Sequence, residues 1–403
     1  MRSTAAAVIA GVLILAGLQP AAAASKPGSV GMVSFIAASY SRSTGTAGLT
    51  VDWRKASRAT SYDVFVSRSY GMSKAKRYRT RSTSKTITRL RQGTSYYIQV
   101  RAVNGKRVGS RSARVGHTTI RRMEKAYGPT YRVMTYNLCS AVCGGWSTRQ
   151  PWALERIAAY RPDVVATQES SRLTTPVPGY EQAIYMSAKR LLYKSSRFTV
   201  APLSGKVPDK PGVDPTTKCT PSWDGLTTGW VFLGRHDKGC RYAVWAVLID
   251  KVTGDHTVFV NAHTVAGVST LRDQQRKQEI STLTRFIQVK FDGAKVPVIY
   301  AGDYNSHKNR TLDSLRSVFH RQGYYDSYDL AMVLRQQHYN SFNGFDRRAK
   351  VSYKWGDHVD HLWIRPDEGR ILKWNNGARI VRGTMVAPIP SDHSPIMADV
   401  MLN

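Results

Sequence analysis

The hydrophobic periodicity of the chain changes once, near residue 120, and no single fold accommodates both halves. From about Ser29 to Thr119, short runs alternate apolar and polar residues with period two between Ser, Thr, Gly and Arg turns, and nothing repeats at helical spacing. Strands of that kind bury one face each against a second sheet, which predicts an all-β sandwich. Residues 120–129, basic and ending in Tyr-Gly-Pro, read as a linker. Beyond it, β-rich runs (YRVMTYN, DVVATQE, YAVWAVLID, TVFVNAH, VPVIYAGDYN) alternate with helical stretches at Pro151–Tyr160 and Thr270–Val289, the latter carrying Ile280, Leu283 and Ile287 on one face. Residues 130–403 are therefore expected to form a layered α/β domain whose site lies at strand ends and loops. The stretch 207–239, rich in Gly, Pro and Lys, reads as one long loop. A chain of 403 residues has length for two such cores.

The first 24 residues have another logic. Arg2, the apolar run Val8–Leu18 and the small residues Ala22-Ala23-Ala24 predict a signal peptide over 1–24, cut before Ser25. The run is too short to span a bilayer, and no later segment is apolar enough to cross one. The mature chain is expected to be secreted and extracellular, where disulfides persist. Four cysteines allow three pairings. Spacing favours Cys139–Cys143 and Cys219–Cys240, while a zinc site is the weaker alternative because no C-x-x-C is present.

The charge balance limits the partners. With 59 Lys and Arg against 27 Asp and Glu, the net charge is +32. Residues 25–120 hold 19 Lys and Arg against only Asp52 and Asp63. Such a field attracts polyanions: nucleic acid, anionic wall polymers, or acidic lipid head groups. No pattern in the chain specifies an oligomer.

Several polar residues interrupt or end apolar strands in the second half. Glu169 ends DVVATQE, Asp303 and Asn305 end VIYAGDYN, Asp360 and His361 break VDHLWI, and Asp392 with His393 precede the last strand. Taken singly, each is a turn former or a packed histidine. As a set, they are the groups that phosphate chemistry uses: carboxylates to hold a hard cation and activate water, and imidazole or amide donors for charge developing on phosphorus.

Both halves resemble known families. In LTVDWRKASRATSYDVFVS, with Trp53, Tyr62, Val64 and Val66, and in TITRLRQGTSYYIQVRAVNG, with Leu90, Gly93 and Tyr96, the first half resembles a fibronectin type III domain. That resemblance implies that Tyr96 buries its ring at a sheet corner while its hydroxyl bonds backbone. From about residue 130 to 403, the ordered series MTYN, TQE, VNAHT, AGDYN, VDHLWI and SDHSP resembles the endonuclease/exonuclease/phosphatase family, which includes deoxyribonuclease I. The fold implied is multidomain: a fibronectin-like β-sandwich over 29–119, then a four-layer α/β sandwich.

What the family resemblance implies for the site is specific. Glu169 would be the main carboxylate ligand of Mg²⁺ or Mn²⁺, with Asn137 beside it and Asp392 completing the shell; a structural Ca²⁺ is compatible. Asp303 would align or deprotonate the attacking water, and Asn305 would bond the phosphate. His393, oriented by Asp360, would act on the phosphoryl oxygen or leaving group, and His263 would be the second imidazole. Arg241 is carried as a phosphate-binding residue. His361 departs from the usual residue after the aspartate, and a solvent-facing or stacking role is expected for it, with a phosphate contact as the alternative.

The activity implied is metal-dependent phosphodiester hydrolysis, with an extracellular nuclease on DNA or RNA as the first reading. The basic β domain would then tether the enzyme to polyanion. The alternative is a sphingomyelinase- or phosphoinositide-type phospholipase C or phosphatase. A third reading is a catalytically inactive polyanion-binding protein.

Overall fold

The computed structural model describes residues 25–120, 128–174, 176–236, 239–291, 293–352 and 355–403. The signal-peptide expectation over 1–24 and most of the expected linker, 121–127, fall outside the described residues.

The first half is the expected β-sandwich. Strands Val33–Ser41, Thr46–Trp53 and Ser84–Leu90 form one sheet, and Lys76–Thr80, Ser61–Ser67, Ser95–Asn104, Arg107–Val108 and Val115–Thr118 form the other. Alternation explains the packing: Leu49, Val51 and Trp53 face Tyr62, Val64, Ile98 and Val100 in a dry interior, while intervening residues face outward. Tyr96 is buried and its hydroxyl accepts from the Arg91 amide at 2.9 Å, as the corner pattern implies. Tyr62 does the same for the Ala56 amide at 3.0 Å.

The second half is built in four layers. One sheet runs in the order Tyr180–Met186, Lys189–Lys194, Val164–Gln168, Thr130–Asn137, Ile396–Leu402, Gly369–Asn376, Val333–Arg335. The other runs Trp223–Asp224, Thr228–His236, Gly239–Asp250, His256–His263, Val298–Asp303, Asp360–Ile364, Tyr325–Asp326, with Phe198–Val200 pairing to Gly239–Asp250. Their inner faces pack through Tyr131, Val164, Phe198, Val244, Phe259 and Ile396. The helix Trp146–Tyr160 covers the first sheet, and the helices Thr270–Lys290 and Ser314–Arg321 cover the second. Ile280, Leu283 and Ile287 are buried, as their spacing predicts.

Two expectations are corrected. The first helix begins at Trp146, so Pro151 lies inside it and does not open it. Proline costs a helix one hydrogen bond and a clash one turn back, which the buried face of Trp146, Ala153 and Ile157 outweighs here. The stretch 207–239 is not one long loop, because Thr228–His236 is a nine-residue strand inside the second sheet. The glycine that reads as a loop signal has a packing reason. A Cβ on Gly229 would stand 2.3 Å from the Trp223 carbonyl oxygen and 2.7 Å from the Trp245 ring, so only glycine lets that indole lie across the strand.

The β-sandwich is packed onto the second domain and does not swing free of it. The Ala38 amide donates to the Met332 carbonyl at 2.6 Å, and the Gln337 side chain donates to the Phe35 carbonyl. Tyr97 meets Trp355 with ring centroids 6.1 Å apart, and His117 stacks on Tyr328 at 5.2 Å. His117 is fully buried; its Nδ1 faces the Thr118 carbonyl, and its Nε2 has no hydrogen-bond partner. Burial, and then the nearby Lys308 charge, push its pKa down to about 3. His338 and His358, pushed down by burial to about 4 and about 3, share this region.

A histidine whose folded pKa lies below its ordinary value excludes the proton on folding. The stability it supports is whole above about pH 6.5 and drains away as pH falls towards 3. The melting temperature is expected to drop over that window, and His117→Phe to make the drop shallower. An unchanged acid limb in that variant would remove His117 from the account.

Among the described residues, no helix is long and apolar enough to cross a membrane.

Candidate functional site

The strand-end residues meet at one end of the α/β sandwich because two parallel pairings bring their ends level. Thr130–Asn137 pairs in parallel with Val164–Gln168, which sets Asn137 opposite Gln168 and next to Glu169. His256–His263 pairs in parallel with Val298–Asp303, which sets His263 opposite Asp303, and the antiparallel neighbour sets Asp360 opposite Asp303 on the other side. Gly302 permits this approach: a Cβ there would lie 2.1 Å from the Ala262 carbonyl oxygen.

The two sheets are locked together behind the site by a buried polar bridge. Gln168 Nε2 donates to Asn261 Oδ1 at 2.7 Å, and Asn261 Nδ2 donates to the Thr167 and Arg190 carbonyls at 2.8 and 2.9 Å. In a dry interior each of these groups costs free energy unless paired, so the bridge fixes how the sheets face each other.

Asn137 stands at the centre. Its Nδ2 donates to Glu169 Oε1 at 3.1 Å and to Asp303 Oδ2 at 3.0 Å, and its Oδ1 accepts from the Cys139 amide. Glu169 and Asn305 both adopt left-handed backbone, φ 48 in each case, which is costly for a residue with a Cβ and clusters at functional sites. Ser140 holds the Glu169 bend by donating to its carbonyl through both amide and hydroxyl. The Glu169 side chain remains 26% exposed, whereas Asp303 and Asp360 are buried. Asn305 gives its amide N–H to Asp303 Oδ1 at 2.9 Å and its side-chain Nδ2 to the Thr264 carbonyl at 3.0 Å.

Two imidazoles complete the arrangement in opposite states. His393 Nδ1 bonds Asp360 Oδ2 at 2.8 Å, and its Nε2 lies 3.7 Å from Asp303 Oδ2. Burial alone would lower the pKa of this ring, but Asp360 and Asp303 outweigh it and hold the group up at about 10. His263 Nε2 lies 3.5 Å from Asp303 Oδ2 and 3.9 Å from Glu169 Oε1. Burial, then the charges of Lys189 and Arg241, hold its pKa far below the ordinary range. Asp303 itself is pushed up to about 7, by burial first and the Asp360 charge second. The site thus pairs an imidazolium with a carboxylate that can take up a proton.

The remaining expected residues sort as follows. Asp392 approaches Cys139 and Cys143 within 4.8 Å, and its Oδ1 lies 3.2 Å from Ser391 Oγ. The two sulfurs are bonded to each other, so they are no ligand set with it. Both expected disulfides, Cys139–Cys143 and Cys219–Cys240, are formed. Arg241 is half-buried and acts electrostatically on His263 and Lys189. His361 is not solvent-facing; its ring meets Trp363 at 5.5 Å and Tyr304 at 6.1 Å, tilted in both cases. It is 4% exposed, with Nδ1 2.7 Å from Asp326 Oδ2 and Nε2 2.8 Å from the Ser306 carbonyl. Burial opposes its proton, but Asp326 outweighs burial and raises its pKa, so it donates from both nitrogens and pins the loop after Asn305.

Sequence reasoning misses four residues that shape the site. Ser341 Oγ accepts the Val359 and Asp360 amides, Ser391 Oγ donates to the Asn137 carbonyl, and Asn261 bridges the sheets. Asn261 and Ser391 lie inside the motifs VNAHT and SDHSP, where they could have been found. Ser341 carries no signal. The fourth, Lys189, opens the strand Lys189–Lys194 and reads as an ordinary surface charge.

The residues fit a hard divalent cation. Around Glu169 stand the carboxylate oxygens of Glu169 and Asp303 and one imidazole nitrogen, His263 Nε2, and Asp360 Oδ1 is buried with no hydrogen-bond partner. Asp303, Asp360 and His393 also bring one ligand atom each within 4.8 Å of one another. His393, held protonated, is better suited to donate a proton than to ligate. A recess of about 720 Å³, lined by His256, Lys295 and Arg365 among others, lies at the opposite ends of the strands and holds none of these groups.

Comparison with known proteins agrees with this geometry. Residues 38–118 match the fibronectin type III domain family. No curated protein matches the chain. Among solved structures, an endonuclease/exonuclease/phosphatase family protein from Bacteroides thetaiotaomicron is similar at 17% identity and a TM-score of 0.52, over 69% of this chain and 99% of that one. A mannosyl-6-phosphatase from the same organism is similar at 20% identity and a TM-score of 0.50, over 67% of this chain and 99% of that one. Residues 38–118 are thus a fibronectin type III domain, and the region that follows has the α/β-sandwich fold of the endonuclease/exonuclease/phosphatase proteins.

Proposed function

We propose that the protein is an exported, metal-dependent phosphoesterase that hydrolyses phosphodiester bonds of nucleic acid. The observation that carries this reading is the convergence of Asn137, Glu169, His263, Asp303, Asp360 and His393 at one end of the sandwich. Glu169, with Asn137 beside it, would hold Mg²⁺ or Mn²⁺, which when bound neutralises charge on the phosphate oxygens. Asp303 takes a proton from water as the water oxygen attacks phosphorus. His393 gives its Nε2 proton to the leaving oxygen as that P–O bond breaks, and Asp360 holds the imidazole orientation throughout. Atoms balance without a covalent intermediate.

Charge supports the choice of a polymeric substrate. On the outer face of the second fibronectin sheet, Arg79 and Arg101 flank Asp63 and consume it, leaving Arg77 and Arg111 beside Phe65 with no ion pair among the described residues. This face suits a phosphate backbone. The packing of the two domains makes it a fixed arm beside the catalytic domain. Export is supported by the leader pattern and by two formed disulfides.

The mannosyl-6-phosphatase likeness favours a second reading, a phosphomonoesterase on the same site. Rates measured side by side on double-stranded DNA, RNA, sphingomyelin and a soluble phosphomonoester, with and without chelator, separate these readings. DNA or RNA turnover that stops with chelator is expected. Lipid or monoester turnover with inert nucleic acid would overturn the nuclease reading, and no turnover of any substrate would favour a binding protein.

A further inference from the structure

Arg149 stands one turn into the helix Trp146–Tyr160 and is 7% exposed. A cation there is costly twice over. Burial works against its charge, and the start of a helix, where backbone N–H groups point outward, repels positive charge. Among the described residues no carboxylate forms an ion pair with it, and Asp392 supports its charge only at a distance. The guanidinium is answered by backbone instead. Its five N–H groups meet five carbonyls: Nε donates to Gly144 at 2.9 Å, Nη1 to Leu138 at 3.2 Å and Pro390 at 2.7 Å, and Nη2 to Cys139 at 2.8 Å and to Cys143.

These carbonyls belong to two segments far apart in the chain. Leu138, Cys139, Cys143 and Gly144 line the loop after Asn137, which the Cys139–Cys143 disulfide closes. In that loop the Cys139 amide donates to Asn137 Oδ1 at 3.0 Å, and Ser140 donates to the Glu169 carbonyl from its amide at 2.9 Å and its hydroxyl at 2.6 Å. Pro390 opens the segment that carries Asp392 and His393, and the Ser391 hydroxyl next to it donates to the Asn137 carbonyl at 2.7 Å. Inward-turned loop carbonyls are costly without donors, and one guanidinium can satisfy both segments only while they keep their spacing. Lysine, with three donors on a single nitrogen, cannot reach all five. The proposed hydrolysis assigns Arg149 no step.

We infer that Arg149 is a positioning residue that clamps the loop behind Asn137 and Glu169 to the segment ahead of His393, and so sets the distance between the cation side and the proton-donating side of the centre. Its effect on rate rests on the phosphoesterase reading, whereas the clamp stands on geometry alone. The bond to Pro390, 241 residues further on, separates this role from that of a local helix cap. Misplacing a reacting group by about 1 Å costs about 10²-fold in rate, so loosening either segment falls on kcat and not on KM.

The test uses the full chain and two readouts. Hydrogen exchange, followed by mass spectrometry without substrate or metal, should quicken about 10-fold or more in both 138–145 and 391–394 in Arg149→Met, with the fibronectin strands unchanged. In turnover with Mg²⁺, kcat for a deoxydinucleotide should fall about 10²-fold, with KM within about threefold of wild type. For bis-nitrophenyl phosphate the loss should be about 10-fold smaller, because a nitrophenolate leaves without the proton that His393 gives. Arg149→Lys keeps the charge and part of the bonding; it should show both effects at lower amplitude, and it carries the test if the methionine variant does not fold. Exchange that quickens in 138–145 alone or in neither segment, or kcat losses equal on the two diesters, would overturn the clamp. Exchange that quickens in both segments of a protein whose wild type hydrolyses neither diester would sink the phosphoesterase reading and leave the clamp standing.

Discussion

Replacing His393 by alanine is expected to lower kcat on a phosphodiester by about 10³-fold while leaving the melting temperature within a few degrees. A positioned acid or base contributes typically 10² to 10⁴ in rate. His393 carries this because Asp360 fixes its Nδ1 at 2.8 Å and its Nε2 faces Asp303 across 3.7 Å, where a leaving oxygen would pass. The pH profile gives an independent reading. Asp303, pushed up to about 7 by burial and Asp360, must lose its proton to serve as base, so turnover should rise as pH climbs through that region. His393, held up at about 10 by its two carboxylates against burial, must keep its proton to serve as acid, so turnover should fall as pH passes that value. A cation bound at Glu169 would shift the lower limb further down, since positive charge favours ionised Asp303. Asp360→Asn removes the main charge supporting the imidazolium, and the upper limb should move towards neutrality. A profile with no upper limb, or His393→Ala with near wild-type kcat, would exclude His393 as the acid.

Glu169→Gln is expected to be at least as severe, with the loss appearing as metal dependence. Glutamine keeps the shape and can still meet Asn137, but it removes a part-exposed negative charge at the strand end. Turnover at 1 mM-scale Mg²⁺, roughly the physiological range for a site of few carboxylates, should fall about 10²- to 10⁴-fold. Much of the deficit should be recoverable at higher metal concentration if ligation alone is weakened. Chelator should abolish wild-type turnover, and Mg²⁺ or Mn²⁺ should restore it. Unaltered metal dependence in Glu169→Gln would mean that the cation is held elsewhere, with Asp303 and Asp360 the next group to examine.

Local chemistry makes much of this chain legible from its residues alone. Period-two alternation around Trp53, Tyr62 and Tyr96 specifies a sandwich, because a strand with one apolar face has few ways to bury it. Carboxylates ending apolar strands mark the site residues, because such groups need solvent, a partner or a ligand. The disulfide pairings follow from short separations. The local signal misleads where burial on both faces or a close contact overrides it. Thr228–His236 reads as loop because its glycine answers a distant indole. The helix at Trp146 reads as starting late because proline usually opens a helix. His361 reads as solvent-facing or stacking because its partner, Asp326, is 35 residues away.

The sequence by itself determined which residues end strands, which faces are apolar and how charge is apportioned between the domains, since these depend on neighbours within a few positions along the chain. Only the tertiary structure decided that Asp360 and Asp303 hold the His393 pKa up while burial holds that of His263 down, that Lys189 is buried beside the site, and that the fibronectin domain is packed against the second one. Those outcomes depend on which charges and surfaces meet across the fold, and dehydration makes such encounters strong only after the sheets have closed over them.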